Sequence, residues 1–347
     1  MASYIESQNA KIKAGSLSDA IPIHLDTLGL LNVQIDYSIL VASYPTMAYR
    51  NTYDFQAMTT EEYLSATANV TYCFDLVKKC RSIAAVYDPD NLGIDATVNT
   101  VCADAYRWCY LHIEAAYLTS GVSHLLQLKR FLLMEIQHDA FDIAHTSPDP
   151  LPTKYEIGFL NQHWVQAALG VPLNFTYQNM AIYNNVVATG GIVRGGFLET
   201  LGSLLDNGVQ VALVYGDRDY SCNWLSGEQT SLAIKSMVHK DFPEAGYAHI
   251  VTDSIYVGGV VRQHGNLSFS RVFDAAHGGS LPFPALFLQS SYLIPSSVFV
   301  PTRNSLPHIQ ARHEKRRYCH RRNTYHSLAR LLVLRPSFQF RHQESDA

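Results

Sequence analysis

The sequence predicts an α/β fold with a parallel sheet, and two adjoining segments carry that prediction. Residues 194–208, RGGFLETLGSLLDNG, place apolar side chains at helical spacing and end at Gly208, a residue that commonly follows a helix. Residues 211–215, VALVY, follow at once and form the short, β-branched apolar run typical of a buried strand. A helix that leads directly into a buried strand is the repeating unit of parallel sheets.

The other elements are predicted in chain order from the same kinds of pattern. Residues 3–15 predict a helix, and residues 21–32, IPIHLDTLGLLN, predict a buried strand that runs into a turn. Residues 155–172 have helical spacing and end in helix-stop residues. Residues 257–277 predict paired strands.

Four cysteines lie in a Tyr-rich region, with helical patches, that interrupts this alternation. Cys73 and Cys80, and likewise Cys102 and Cys109, are seven residues apart, which favours nested pairing of 73 with 109 and of 80 with 102. Four cysteines allow three connectivities, so this pairing is a preference. A zinc site is the alternative, and it lacks the CxxC spacing or neighbouring His that would support it.

The formal charge of −4 combines an acidic body with a basic C-terminal tail. Residues 279–347 show no periodicity, are rich in Ser, Pro, His and Arg, and contain the basic run RHEKRRYCHRR at 312–322. Such a run can bind phosphate, but no recognisable nucleic-acid-binding module surrounds it. A solvated, disordered tail is the favoured interpretation, and we expect no nucleic-acid partner.

The sequence gives mixed indications about the cellular compartment. No run approaches the roughly 18–20 apolar residues of a membrane span, and residues 1–15 lack the charged-then-apolar pattern of a signal peptide. Three N-glycosylation sequons, at Asn69, Asn174 and Asn266, nevertheless point with the cysteines to a secretory route. We therefore expect no membrane partner and chemistry of the secreted type.

The predicted strand at 211–215 delivers two acids to the edge of the sheet where α/β proteins hold their ligands. It ends at Gly216, and Asp217 and Asp219 follow within GDRDYSCNW. A second predicted strand, SFSRVF, ends shortly before His277. A turn or cap aspartate and an ordinary loop histidine are the alternative interpretations of these residues.

The motif GDxDxxCN followed 58 residues later by a histidine after a strand resembles the serine carboxypeptidases of peptidase family S10, closest to their fungal secreted branch. This resemblance implies an α/β-hydrolase fold with triad order Ser…Asp…His. It implies that Asp219 is the catalytic acid and His277 the catalytic base, and that Cys222 and Asn223 lie near the substrate pocket. Asp217 is interpreted as structural.

The resemblance also implies a domain organisation. Residues 1–33 correspond to the α/β-hydrolase core just after the nucleophile, residues 34–154 to a mainly helical cap with the nested disulfides, and residues 155–278 to the C-terminal part of the core. Within the cap, residues 121–138 are an anomalous insert that could form an amphipathic helix, and residues 279–347 depart from family text.

One part of the family pattern is absent from the sequence. The family nucleophile sits in a G-x-S-x-G turn, and none of the serines has glycine at both −2 and +2. The expectation is a chain that starts just after its nucleophile, with the N-terminal strands missing. A truncated or imperfectly assembled gene product and genuine divergence both explain this.

The function expected from the resemblance is serine-type carboxypeptidase activity, which releases C-terminal amino acids from peptides without a metal or cofactor. Its partners are peptide and protein C-termini, and its location is secreted or vacuolar. The alternative is a non-catalytic remnant or glycosylated binding protein.

Overall fold

The computed structural model describes residues 1–120, 138–145, 154–176, 178–238, 240–251 and 256–277. The predicted tail 279–347 and residues 121–137 of the predicted insert lie outside these ranges. Within them, no helix has both the length and the apolar character needed to cross a membrane.

Five strands form one mixed sheet in the part of the chain that the structure describes. The strands are β1 (Thr27–Leu31), β2 (Gln210–Gly216), β3 (Ala248–Val251), β4 (Val257–His264) and β5 (Leu267–Val272). Their order across the sheet is β1-β2-β5-β4-β3. β1, β2 and β5 run parallel, whereas β4 and β3 are antiparallel additions. The predicted α/β class is confirmed.

Helices on the sheet and in the cap account for most of the remaining described residues. They are α1 (Ala2–Lys13), α2 (Tyr37–Tyr49), α3 (Thr60–Tyr87), α4 (Ala96–Cys109), a π-helical turn (Tyr110–Glu114), α5 (Ala115–Leu118), α6 (Lys154–Leu160), α7 (His163–Leu169), α8 (Met180–Ala188), α9 (Phe197–Asp206), α10 (Trp224–Ala233) and a 3-10 turn (Pro243–Ala245).

The core of the sheet forms where α9 packs against β2. Leu204 and Leu205 of α9, Leu213 of β2 and Phe269 of β5 are all buried in one cluster. Strand β2 pairs with a parallel strand on each side, β1 on one and β5 on the other. Strands in this central position of a parallel sheet are buried on both faces, which suits the apolar run of β2. The helix-then-strand prediction for residues 194–215 is therefore confirmed.

The first predicted strand differs from its expectation in length and burial. Of residues 21–32, only β1 is extended in the sheet, and its residues alternate between partly buried and exposed. Leu31 at its end is 40% exposed. The reason is that β1 pairs with only one strand, β2, among the described residues. A strand with a single neighbour is less buried than its apolar composition predicts.

A second, helical core lies in the region that the sequence predicts as the cap. Helix α3 begins with a capping box in which Thr59 and Glu62 satisfy each other's backbone amides. It packs along α4, and two disulfides join the helices, Cys73–Cys109 and Cys80–Cys102. Tyrosines fill much of this core, with Tyr37, Tyr44, Tyr117 and Tyr220 almost fully buried. The nested pairing favoured from the spacing is the pairing in the structure.

Candidate active site

Asp219 lies in the turn that follows β2 and is completely buried. One carboxylate oxygen, Oδ1, accepts a hydrogen bond from the backbone amide of Cys222 at 3.1 Å. The other, Oδ2, accepts from the side-chain amide of Asn32 at 2.8 Å. The carboxylate is thus fixed in one orientation, with its Oδ2 directed towards the loop that follows β5.

His277 meets this carboxylate from the loop that follows β5. Its Nδ1 lies 2.7 Å from Oδ2 of Asp219, and its backbone amide donates to the carbonyl of Phe141 at 2.9 Å. The His277 side chain is 32% exposed, whereas that of Asp219 is fully buried. The pair therefore joins an enclosed acid to a base that solvent reaches.

The sheet topology explains why residues 58 positions apart meet. β2 and β5 are adjacent parallel strands whose last residues, Gly216 and Val272, are in register. Their carboxyl ends therefore reach the same edge of the sheet. Gly216 permits the close approach, since a side chain there would collide with the carbonyl oxygens of Ala275 and Ala276.

Burial and mutual contact set the electrostatics of the pair. Burial raises the pKa of Asp219 above its ordinary value, and hydrogen bonds from His277, the Cys222 amide and Asn32 offset only part of that rise. Burial also lowers the pKa of His277, but the hydrogen bond and charge of Asp219 outweigh this and raise it overall. The acid therefore favours the protonated imidazole.

Asn32 is a member of this site that sequence reasoning missed. It follows β1, is 5% exposed and has a left-handed backbone with φ of 41°. Its Oδ1 accepts from the Gly216 amide at 3.3 Å, while its Nδ2 donates to Asp219. An Asn directly after a predicted strand was the available signal, because Asn tolerates this conformation. The neighbouring position of β1 and β2 could not be known.

Asp217 has the structural role that the sequence suggests. It is buried, accepts a hydrogen bond from the Tyr53 hydroxyl, and pairs with the Arg271 guanidinium at 3.1 Å. Arg271 in turn lies over the Trp224 ring at 3.8 Å. Asp217 therefore anchors the turn to Tyr53 and to β5.

Comparison with known proteins decides the family. Residues 2–292 match the profile of the serine carboxypeptidases, peptidase S10. The chain belongs to this family. Carboxypeptidase S1 homolog B of Arthroderma otae is 44% identical over 282 residues, which cover 79% of this chain and 41% of that protein. Carboxypeptidase S1 of Penicillium janthinellum is 30% identical over 278 residues, covering 80% of this chain and 58% of that protein.

The comparisons also show how much of a serine carboxypeptidase is present. The chain spans about two fifths of the length of several curated relatives, at 41% of each. Among solved structures, Kex1(delta)p, a prohormone-processing carboxypeptidase from Saccharomyces cerevisiae, matches with a TM-score of 0.49 and 16% identity, covering 82% of this chain and 57% of that one. Family membership and the described sheet together give the α/β-hydrolase fold.

Asn223, which the resemblance places near the substrate pocket, caps a helix in the structure. It is fully buried, and its Oδ1 accepts from the Ser226 amide at 3.0 Å as the N-cap of α10. Its Nδ2 donates to the Tyr220 carbonyl at 3.2 Å. Both polar atoms of the side chain bind within the chain, which gives Asn223 a helix-capping role. Its place near the substrate pocket stays a prediction.

Cys222 is a free cysteine and partly buried in the described structure. Burial, with smaller contributions from the nearby carboxylates of Asp219 and Glu114, raises the pKa of its thiol well above its ordinary value. A thiol in this environment stays protonated and behaves as a small apolar side chain. Cys222 lies beside the Asp219–His277 pair, and its place near a substrate stays a prediction.

Asp219, Cys222 and His277 are also the described residues that could together hold a metal ion. Each offers one ligand atom, and these atoms lie within 4.8 Å of one another. The chemistry of a hydrogen-bonded acid and base uses two of the three groups without any metal.

The three sequons have different surroundings. Asn174 is exposed, and Asn69 is partly exposed on α3. The Asn266 side-chain amide instead donates to the carbonyls of Leu205 at 2.8 Å and Val209 at 2.9 Å, at the end of α9. A glycan on that nitrogen would displace one of these bonds, so the structure disfavours Asn266 as an acceptor.

Besides Asn32, sequence reasoning missed Glu114, whose carboxyl is titratable. It ends the π-helical turn, and its backbone carbonyl accepts from the Tyr220 hydroxyl at 2.9 Å. Burial raises the pKa of its carboxyl to about 8, against a smaller lowering by a hydrogen bond from Tyr44. Burial raises the pKa of nearby tyrosines, including Tyr37, Tyr106 and Tyr110, and the negative charge of Glu114 adds to that rise.

Proposed function

We propose that this chain supplies the acid and the base of a serine-type carboxypeptidase, Asp219 and His277, which releases C-terminal amino acids from peptides. The observation that carries the proposal is the 2.7 Å contact between Nδ1 of His277 and Oδ2 of Asp219, at the edge of an α/β-hydrolase sheet. Membership of the serine carboxypeptidase family supports the substrate class.

The geometry gives each of the two residues a defined task. An ionised Asp219 can only accept, so the neutral imidazole beside it keeps its hydrogen on Nδ1 and its lone pair on Nε2. That nitrogen takes the proton from the attacking serine hydroxyl and then gives it to the leaving amine. Asp219 holds the tautomer and stabilises the imidazolium that forms, and it does so from a buried position where its charge is weakly screened. The mechanism needs no metal ion or cofactor.

The proposal assigns no nucleophile among the 347 residues. None of the chain's serines has the flanking glycines of a G-x-S-x-G turn. A chimera therefore tests the proposal: residues 2–277 replace the aligned region of Carboxypeptidase S1 homolog B, which supplies the remaining segments of the enzyme.

We expect the chimera to hydrolyse a blocked dipeptide and to react with a fluorophosphonate probe. Asp219→Asn should lower kcat by about 10⁴-fold, because the imidazole then adopts the wrong tautomer. Asp104→Asn is the matched control, since Asp104 is 62% exposed and pairs only locally with Arg107. A folded, probe-reactive chimera that keeps full activity with Asp219→Asn would refute the assignment.

The absence of the serine motif also favours a second candidate, a non-catalytic glycosylated binding protein built on the same fold. This candidate predicts that the full chain binds peptides without hydrolysing them and that His277→Ala leaves the binding unchanged. The carboxypeptidase proposal predicts that the chimera turns peptides over and loses this activity with the same substitution.

A secreted or vacuolar location is part of the proposal. Two disulfides in the cap require an oxidising compartment during folding, and the sequons at Asn69 and Asn174 remain partly or fully exposed. Expression behind a secretion leader in a fungal host should give a product whose electrophoretic mobility changes on endoglycosidase treatment. Asn69→Gln combined with Asn174→Gln should abolish that change.

A further inference from the structure

Residues 139–145 run between the two loops that carry the Asp219–His277 pair. Towards the Asp219 turn they make two backbone hydrogen bonds on either side of the acid. The Ile143 amide donates to the Arg218 carbonyl at 2.9 Å, and the Ser221 amide donates to the Ala140 carbonyl at 2.8 Å. The segment is therefore fastened to the turn one residue before Asp219 and two residues after it.

The same segment reaches His277 through Phe141. The His277 backbone amide donates to the Phe141 carbonyl at 2.9 Å. The Phe141 ring packs against the imidazole, with 4.9 Å between ring centroids and a tilt of 42°. One residue thus holds both the backbone and the ring of the base.

The segment has rigid supports of its own. Asp139 is 4% exposed, and its Oδ1 accepts from the amides of Phe141 at 2.7 Å and Asp142 at 3.2 Å. Its backbone carbonyl accepts from the buried Tyr117 hydroxyl at 2.7 Å. Asp142 in turn pairs with His145 at 2.9 Å. These bonds fix the local turn from which Phe141 projects.

His277 needs such support because it stands five residues beyond the end of β5. The strand register fixes the ends of β2 and β5, but it does not fix the orientation of an imidazole on the following loop. We propose that residues 139–145 are the positioning element of the pair and that Phe141 is the residue that keeps His277 against Asp219. The catalytic importance of this role rests on the proposed function, but the geometric role does not.

A competing explanation makes Phe141 only a wall that shields the imidazole from water, and the two explanations predict opposite results. The groups that set the pKa of His277 are the Asp219 carboxylate, which raises it, and burial, which lowers it. Loss of a wall relieves burial and raises the pKa. Loss of a positioning contact loosens the imidazole from Asp219 and lowers the pKa towards its ordinary value.

The experiment is an NMR titration of His277 in the full chain and its Phe141→Ala variant, with the resonance assigned by comparison with His277→Gln. We expect the pKa of His277 to fall in Phe141→Ala. Phe159→Ala is the matched control, because Phe159 lies on α6 against Trp164 and is 54% exposed. An unchanged or increased pKa in Phe141→Ala would overturn the proposal.

Three further variants keep the test decisive if Phe141→Ala does not fold. Phe141→Leu removes the ring but keeps an apolar side chain, and the same fall is expected. Asp139→Asn retains an oxygen acceptor at Oδ1 and should leave the pKa of His277 unchanged, whereas Asp139→Ala should lower it. A chain that shows these shifts but gives an inactive chimera would refute the proposed function and retain the positioning role.

Discussion

The residues around Asp219 show how a buried carboxylate is made tolerable at a sheet edge. An isolated ionised carboxylate in a protein interior is very costly unless hydrogen bonds and a counter-charge compensate it. Asp219 has the Cys222 amide, the Asn32 amide and the His277 imidazole as partners. Each partner comes from a different loop, so the site depends on the whole sheet edge and not on the GDxDxxCN motif alone.

Asn32 gives the first prediction, because its side chain and its backbone contribute separately. Asn32→Ala removes a hydrogen bond to a buried carboxylate and leaves a residue that disfavours the left-handed backbone of this position. We expect a loss of about 2–3 kcal/mol in the free energy of unfolding, measured by urea titration. Asn32→Gly removes the same bond but tolerates the conformation, so its loss should be about 1 kcal/mol smaller. Equal losses would show that the backbone conformation contributes nothing.

The limits of sequence reasoning are clear from these same residues. Asp219 and His277 could be named because a motif and a strand end mark them, and the structure brings them together. Asn32 and Phe141 carry no motif, and their importance arises from strand order and from a loop crossing that the linear sequence does not encode in any local pattern. Asn223 caps α10, and its nearness to the motif did not indicate that role.

At the scale of elements, the α3–α4 pair depends on its two disulfides. Cys73–Cys109 and Cys80–Cys102 have sequence separations of 36 and 22 residues. Closing loops of this size restricts the unfolded chain, and the entropic estimate is about 3–4 kcal/mol for each bond, slightly more for the longer loop. The spacing of the cysteines indicated this arrangement. Cys73 and Cys80 are seven residues apart, as are Cys102 and Cys109, and seven residues are about two turns along one face of a helix.

The disulfide prediction follows from that estimate. Replacing Cys73 and Cys109 together by Ala should lower the free energy of unfolding by about 3–4 kcal/mol, and replacing Cys80 and Cys102 should lower it by slightly less. Denaturant unfolding with and without a reductant provides the measurement. If reductant shifts the unfolding midpoint of the parent chain no more than that of the variant lacking all four cysteines, the bonds do not stabilise the fold.

The π-helical turn gives a pH-dependent prediction through Glu114. Its folded-state pKa of about 8 lies above the ordinary value of 4.5, so the folded protein binds a proton that the unfolded chain releases. The resulting stabilisation is present below about pH 4.5 and is lost as the pH rises through 8. Glu114→Gln stays neutral, so it should show a flatter dependence of stability on pH and greater stability than the parent at pH 8.

The control for this prediction is Glu61→Gln, at an exposed position in the first turn of α3. It should leave the slope of stability against pH between 4.5 and 8 close to that of the parent. Thermal unfolding at a series of pH values distinguishes the two variants. The same slope in Glu114→Gln as in the parent would mean that the carboxyl is ionised in the folded protein.

At the scale of the whole molecule, β1 is an edge strand of the described sheet. This strand pairs with β2 through Thr27–Leu31 and has no strand on its other side within the described ranges. Its sequence, TLGLL, contains no charge or proline, which are the features that usually protect an edge from pairing with other chains. Helices α7 and α8 and the loop between them add exposed apolar side chains, including Trp164, Leu173 and Ile182.

The last prediction concerns self-association through that edge. We expect the 347-residue chain to associate with increasing concentration, because an unprotected apolar strand edge pairs readily with another copy. Leu31→Lys places a charge at the most exposed apolar position of β1, where Leu31 is 40% exposed, and should reduce association without lowering the melting temperature. Leu31→Met keeps the position apolar and should associate as the parent does. Analytical ultracentrifugation across a concentration series measures this. If association persists unchanged in Leu31→Lys, the contact does not involve the β1 edge. The exposed apolar side chains of α7, α8 and the loop between them would then be the next surface to test.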